Sequence, residues 1–495
     1  MTADTLAALA AVIVTWVLAR RLEARALRQL LLLAASYLFY GVWGGWFLAV
    51  LIASSVLNFY LGGLIRRRRT AGALWIGIAC NLLLLGLFKY LPALAQTAAL
   101  GASEADLVRR IAMPLGISFW TFQALSYLFD VYRGEELNPS LVEFCLYMAF
   151  WPTVLSGPVC RLPQMLPQLR EAPGFRHEDV VAGTTRIIQG LIMKFALAEI
   201  LAVGLAPGEG VVGGFDDVQG GWGALDVWLL AIGFGFQLFF DFAGYSHLVI
   251  GTALVFGVRL QENFNRPYLA LTPAIFWTRW HMSLSFWIRD YVFLPLATLR
   301  RGRAWVYLVL VFAMTLFGLW HAPKATFVLW GCYQGFLLVL HRLGQQAKAR
   351  LAPGRPAFAG GFLSWAGTFA AISLGWVLFR ANDLGQALAM LGALFSPAAY
   401  SRLALPHSFY VLVPAVTIGY FAYEAVRAVL ARWREEERGR ANVPAVRLVA
   451  VELCQLLRAR AWWWLAPVCF AALAVTLIRL LEQSAAVSPF MYTLF

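Results

Sequence analysis

Two histidines, His281 and His321, lie in stretches otherwise suited to hydrocarbon. His281 is in Phe276-Trp277-Thr278-Arg279-Trp280-His281-Met282-Ser283-Leu284-Ser285, and His321 closes the uncharged run from Ala304 to Trp320. An ionisable side chain at bilayer depth costs about 3 kcal/mol or more, so it marks a functional position. Imidazole titrates near neutrality. One histidine as general base can take the proton from a hydroxyl that attacks an acyl thioester, while the second orients the substrate or polarises the carbonyl. A metal site needs about three or four ligands; Asp241 and His247 are not far in sequence, but no Cys/His/Asp cluster supplies the rest. A Ser-His-Asp triad on a nucleophile elbow is excluded because Gly-x-Ser-x-Gly is absent. Two other readings stay open: a pair of hydrogen-bonded core histidines, and a proton relay in a transporter. His177, His247, His341 and His407 are expected at helix ends or in loops, and Asp241 is a better candidate than any of them.

The elements that must position these groups are membrane helices. Of the 495 residues, 61% are hydrophobic and only 13% charged, about half the charged share of a soluble domain. The apolar residues form blocks of spanning length rather than amphipathic stripes. A net charge of +14 points to basic loops between spans rather than to nucleic acid, because Arg and Lys gather between the apolar blocks. Arg66–Arg69 is such a cytoplasmic anchor. The six cysteines, Cys80, Cys145, Cys160, Cys332, Cys454 and Cys469, are scattered and have neither metal-ligand nor disulfide spacing.

Thr5–Leu18 is read as a retained signal anchor with its N-terminus outside, since Arg20, Arg21, Arg25 and Arg28 follow it. Leu30–Tyr40 and Trp46–Leu64 form a hairpin, and Leu74–Leu94 crosses again with Lys89 inside it. The mildly polar Gln96–Asp106 faces outside. Met113–Pro158 is interrupted by Asp130, Arg133, Glu135 and Glu136 and by Pro114, Pro152 and Pro158, a pattern of re-entrant or broken helices buried in protein or lining a wet cavity. Ile187–Leu205 spans, Pro207–Gly223 lies outside, and Val227–Phe240 returns. Arg300, Arg301 and Arg303 mark the cytoplasm. Trp305–Trp320, Phe327–Leu340, Phe362–Phe379, Val411–Tyr423 and Trp462–Leu480 complete the spans. From Trp277 to Ile288 the spacing predicts one helix near an interface, with Trp277, Trp280, His281, Leu284 and Ile288 on its inward stripe. The helix ending at His321 stops before Pro323, which leaves carbonyls that need polar company. The fold class is an all-α polytopic bundle, read as one integral-membrane domain over 1–495 with core motifs at 113–345 and peripheral helices at 1–112 and 346–495.

Several ordered segments resemble the membrane-bound O-acyltransferase family. They are Phe236-Gln237-Leu238-Phe239-Phe240-Asp241-Phe242-Ala243-Gly244-Tyr245-Ser246, Glu262-Asn263-Phe264-Asn265-Arg266-Pro267-Tyr268, the His281 segment with Arg289-Asp290-Tyr291, and Gly318-Leu319-Trp320-His321. Upstream, Pro114–Phe119, Thr121–Tyr127, Asp130–Gly134 and Ser156-Gly157-Pro158 also fit, as do Trp376–Ala381 and Ser488-Pro489-Phe490 downstream. Within the family the chain is similar to the alginate O-acetylation branch and more distantly to the branch that moves D-alanine onto teichoic acids. It departs from the alginate branch at Pro295-Leu296-Ala297-Thr298-Leu299-Arg300, where Pro-Leu-Gly-Gly-Asn-Arg is usual, and at His247, where an acid is common.

The resemblance implies a helical bundle around a tunnel or funnel through the membrane. It implies catalysis at His321 with His281 assisting, and Asp241, Tyr245, Asn265, Arg279, Trp280, Ser283, Arg289 and Trp320 shaping the substrate path. No metal and no permanently bound cofactor is expected; acetyl-coenzyme A or another pantetheine thioester would be the donor, arriving from the cytoplasm. The acceptor would be an extracytoplasmic polysaccharide or an exported partner acyltransferase. The implied location is the bacterial cytoplasmic membrane, multi-pass and in contact with lipid, with no nucleic-acid partner. D-alanyl transfer from a carrier protein and the transporter with a histidine relay are the alternatives.

Overall fold

The computed structural model describes residues 14–19, 21–92, 113–171, 176–216, 218, 221–351 and 361–438. The expected segments 96–106 and 462–480, most of 5–18, Cys454, Cys469 and 488–490 lie outside them. Among the described residues the secondary structure is helical, with no strand. Six helices among the described residues are long and apolar enough to cross a membrane: Gly45–Arg68, Ala71–Tyr90, Ala224–Val255, Arg303–His321, Phe362–Arg380 and His407–Trp433.

Helices α1 (Arg25–Gly41) and α2 (Gly45–Arg68) are the expected hairpin, and α2 stops at Arg69 in a left-handed conformation. Next, α3 (Ala71–Leu85) runs on through a π-helical turn, Gly86–Tyr90. The prolines and charges between Met113 and Pro158 break the chain as expected. They leave α4 (Ile117–Tyr132), almost wholly buried, and α5 (Leu141–Ala149). A capping box starts α5: Glu143 N–H donates to Ser140 Oγ at 3.2 Å and Ser140 N–H to Glu143 Oε2 at 2.8 Å. Then come α6 (Leu162–Arg170) and α7 (His177–Ile192), the latter extended by a π segment, Met193–Ala198, and α8 (Glu199–Val203). A short α9 (Val211–Asp216) precedes α10 (Ala224–Val255).

Two expectations change here. The crossing placed at Val227–Phe240 is the first half of α10, because nothing between Asp241 and Val255 breaks a helix; Asp241 and Tyr245 therefore ride on it as successive turns. The single helix expected from Trp277 to Ile288 is broken: α11 (Pro273–Trp277) ends, and α12 (Met282–Ile288) restarts after His281, whose φ is +41°. Apolar spacing continues across the break, so periodicity alone could not show it. A π segment, Arg289–Phe293, and α13 (Leu294–Ala297) follow. The chain then forms α14 (Arg303–His321), α15 (Ala325–Leu351), α16 (Phe362–Arg380), α17 (Leu384–Ala393) and α18 (His407–Arg438). His177 and His407 begin helices as expected, whereas His247 and His341 sit inside α10 and α15.

The described chain clusters into two compact units. One takes the residues up to Ile187 with Tyr245–Phe379, and the other Ile188–Gly244 with the residues from Arg380 on. In the larger unit, Glu143 gathers Arg25 and Arg170, with Arg170 Nη2 at 3.0 Å. Burial pushes the Glu143 carboxyl up, but its bonds to Arg170, the Ser140 N–H and Arg25 outweigh this and hold it at about 2. Asn58 and Asn81 pair reciprocally inside the apolar α2 and α3, at 3.1 and 2.7 Å, giving those helices a fixed register. In the smaller unit, buried Asp226 accepts from Gly223 N–H at 2.7 Å, Ala404 N–H at 3.0 Å and the Tyr410 hydroxyl. Phe236 packs edge-on to Tyr420 with centroids 5.2 Å apart.

The hairpin of α14 and α15 matters most for function, because His321 ends its first helix. The two backbones touch through glycines. A Cβ on Gly318 would lie 2.1 Å from the Phe327 carbonyl oxygen, and one on Gly331 would lie 2.4 Å from that of Met314. Small residues let membrane helices approach this closely. Replacing Gly318 with valine pushes backbone against backbone; the expected result is a Tm in detergent lowered by at least ~5 °C together with loss of function. An unchanged melting curve would show that the contact is slack.

Candidate functional site

His281 and His321 come together within the larger unit. The turn between α11 and α12 presents His281, and the last residue of α14 presents His321. They share two aromatic neighbours. The Phe317 ring lies 6.5 Å from His281 and 5.5 Å from His321, and the Trp320 ring lies 6.4 and 4.6 Å away. His281 is 2% exposed, whereas His321 is half-buried. Phe327, Trp330 and Phe379 close the other sides of His321 at 5.8, 5.7 and 4.9 Å. An accessible imidazole next to a buried one suits the division expected from sequence, a proton acceptor with an orienting neighbour.

The backbone at His281 explains its direction. Its left-handed conformation is unusual for a residue with a Cβ. Hydrogen bonds on either side fix it: Met282 N–H donates to the Asn263 carbonyl at 2.8 Å, and Asn265 N–H to that of Arg279 at 2.9 Å. The side chain of Asn263, fully buried, adds a second tie. Ser283 Oγ donates to its Oδ1 at 2.6 Å, and its Nδ2 donates to Ser246 Oγ at 3.1 Å. Ser283 Oγ also accepts from Val159 N–H at 3.0 Å. So Ser283, expected on the substrate path, is a strut whose hydroxyl is engaged by protein on both sides. Sequence reasoning singled out Asn265, yet its side chain is exposed and Asn263, two residues earlier in the same motif, does the structural work.

The other expected residues divide. Trp320 touches both histidines. Trp280 is buried and stacks on Phe276 at 5.5 Å, one ring back from the site. Arg279 is half-buried beside the turn. Tyr245 is engaged with Ser156. Asp241 belongs to the smaller unit, where its carboxylate is paired with Lys194 of the π segment. Residues that the sequence did not single out include Phe317, between the two imidazoles, and Lys89, whose Nζ is 4.9 Å from the Trp320 ring centroid. The only hint of Lys89 in sequence was a lysine within an apolar span.

A cavity of about 230 Å³ adjoins this cluster, with Arg289 and Arg342 in its lining. Trp277, Phe317, Ala313, Met314 and Leu338 line it, so the ring that contacts both histidines forms part of its wall. Next to Arg289 in the chain, Asp290 is bound by Arg289 Nε at 2.6 Å and by Arg161 Nη2 at 2.8 Å. Burial pushes the Asp290 carboxyl up, but the two guanidiniums hold it below its usual range. Arg133 and Arg161 also lie over the Tyr291 ring at 5.1 and 4.9 Å, and Tyr291 donates to Asp130 at 2.7 Å. The charged residues that line the cavity, Arg289 and Arg342, are both cations, which gives it a positive potential.

Residues 69–378 match the sequence profile of the membrane-bound O-acyltransferase family, and residues 448–495 match that of a family of unknown function. The chain is 36% identical over 385 residues to a protein of Pseudomonas aeruginosa named "probable alginate O-acetylase", covering 74% of this chain and 70% of the relative. It is 30% identical over 394 residues to a peptidoglycan O-acetyltransferase of Helicobacter pylori, covering 73% of each. A teichoic acid D-alanyltransferase of Streptococcus thermophilus is 32% identical over 237 residues, covering 46% of this chain and 56% of the relative.

The left-handed backbone makes two substitutions at 281 differ. Asparagine tolerates that region and β-branched valine does not. His281→Asn is expected to keep the wild-type Tm in detergent, and His281→Val to lower it by several degrees, as read by scanning fluorimetry. Equal stability of the two variants would contradict the turn described.

Proposed function

Because the chain belongs to the membrane-bound O-acyltransferase family, we propose that it moves an acetyl group from a cytoplasmic pantetheine thioester, such as acetyl-coenzyme A, to a hydroxyl on the far side of a bacterial cytoplasmic membrane. The acceptor is an extracytoplasmic polysaccharide or an exported partner acyltransferase that passes the group on. The enzyme is a multi-pass membrane protein and an O-acyltransferase. The reading for acetyl rests on the alginate and peptidoglycan relatives, which align over about three quarters of the chain. Enzyme class separates this from a transporter that only relays protons.

The observation that carries the mechanism is the half-buried His321 against the fully buried His281, with Phe317 and Trp320 between them. His321 takes the proton of the acceptor hydroxyl as that oxygen bonds to the acyl carbon. The carbonyl electron pair moves to oxygen, then returns as the carbon–sulfur bond breaks. The proton leaves with the thiolate as free thiol. A thioester is already activated, so orientation and proton removal supply most of the acceleration. His281 orients the acyl group. The arginine-rimmed cavity holds the donor, its phosphates at Arg289 and Arg342 and its arm along Ala313 and Met314. Trp280 and Arg279 brace the turn that carries His281. D-alanyl transfer from a carrier protein is the second reading, favoured by the match to a D-alanyltransferase over 46% of the chain.

Proteoliposomes given labelled acetyl-coenzyme A outside the basic-loop face and a polysaccharide acceptor opposite are expected to transfer label. His321→Ala, inserted normally, should lower transfer on the order of 10³-fold, the scale expected for loss of a general base that also orients substrate. Unchanged transfer by His321→Ala would refute the assignment. Transfer only from a D-alanyl carrier would give the second reading precedence. Filling the cavity with Ala313→Phe should raise the donor KM about tenfold while leaving kcat within about threefold, a uniform-binding loss.

A further inference from the structure

Lys89 is a charged residue within an apolar span, and it is 8% exposed. The π turn Gly86–Tyr90 widens the helix there, a feature that often accompanies functional sites. Its Nζ contacts Ser118 Oγ at 3.2 Å and stands over the Trp320 ring at 4.9 Å from the centroid. The next residue, Tyr90, donates to the Leu319 carbonyl at 3.4 Å. Both residues therefore bear on the last turn of α14, which ends in His321.

Trp320 supplies the second observation. Its ring is 4.6 Å from His321 and 6.4 Å from His281. The residue is 4% exposed, and its indole Nε1–H is buried without a hydrogen-bond partner among the described residues. A buried donor without an acceptor costs about 1–3 kcal/mol, so such a group in a folded protein calls for a reason. Among the described residues Trp120, Trp277 and Trp330 also bury an indole N–H in this way, whereas Trp287 donates to the Phe122 carbonyl at 3.0 Å; Trp320 is set apart by its contacts with Lys89 and with both histidines. A cation on the face of an indole also draws electron density from the ring, which makes its N–H a stronger donor. The Trp320 ring thus contacts the cation and both imidazoles.

We propose that the Trp320 N–H donates to the acyl carbonyl oxygen during transfer, and that Lys89 is a positioning residue that holds and polarises that indole. This deepens the acyl-transfer reading and rests on it. In the step given above, the electron pair that moves onto the carbonyl oxygen when the hydroxyl adds is stabilised by Trp320, and it returns to re-form the carbonyl as the thiolate leaves. The donor acts on charge that develops in the transition state, so it changes kcat rather than ground-state binding.

Two substitutions separate the parts. Trp320→Phe keeps a ring face for Lys89 and removes the N–H, whereas Lys89→Met keeps length and removes charge. Turnover is read as coenzyme A thiol released by the full chain in proteoliposomes supplied with acetyl-coenzyme A and acceptor. Trp320→Phe is expected to lower kcat on the order of 10²-fold with the donor KM within about threefold, the usual size for loss of one such donor. Lys89→Met should lower kcat about tenfold and Lys89→Arg should restore most of it, while the Lys89→Met/Trp320→Phe double variant should be no slower than Trp320→Phe, since the two act as a unit. Wild-type kcat in Trp320→Phe, a loss confined to KM, or multiplicative losses in the double variant would overturn the proposal. If Lys89→Met does not accumulate in membranes, Trp320→Phe decides alone by the same criterion. Should wild-type protein release no thiol, the acyl-transfer reading itself fails and this inference with it; a working wild type with an undiminished Trp320→Phe sinks this inference only.

Discussion

The contact of α14 with α15 is the constraint on which the site depends. Gly318 and Gly331 place each helix against carbonyl oxygens of the other. Such a backbone contact allows little sliding or rotation. Because His321 is the last residue of α14 and Trp330 lies in the second turn of α15, that contact sets how the imidazole meets the indole, 5.7 Å away. A helix held only by long flexible side chains would leave that distance to rotamer choice.

Around the pair the protein builds an aromatic wall rather than a polar pocket. Trp277, Trp280, Trp330 and Trp376 are buried, and Phe317 stands between the histidines. The wall has two consequences. An aromatic lining offers water few hydrogen-bond partners. The few polar groups within it act in a low-dielectric setting, where their effect on developing charge is greatest. The polar ties that hold the wall, Asn263 with Ser283 and Ser246, are spent on geometry.

Much of this could be read from the sequence, and for physical reasons. Charge-poor apolar blocks marked the helices from α1 to α3, from α14 to α16 and α18, because burial in lipid leaves that signature in composition. The two histidines were visible because a titratable group in such a block is costly. The break at His281 was not visible, since Trp277, Trp280 and Leu284 keep helical spacing through a turn that backbone bonds from Asn263 and Asn265 impose. Nor could Asn263 be preferred to Asn265, because which of two nearby amides points inward depends on an irregular segment without period. Lys89 stood out as a charge, but its partner on α14 is distant in the chain and no local pattern links them.

The π turn at Gly86–Tyr90 sets a limit on how this helix can vary in length. Such a turn accommodates one surplus residue relative to α geometry. Loss of a single residue there would let the helix relax to regular winding and would swing the remainder of the helix by about 100° about the axis. An ammonium that now faces protein would then face lipid. Chain length across this short stretch is thus as much a part of the design as residue identity, and an alignment that places a gap within it pairs residues on opposite sides of the helix.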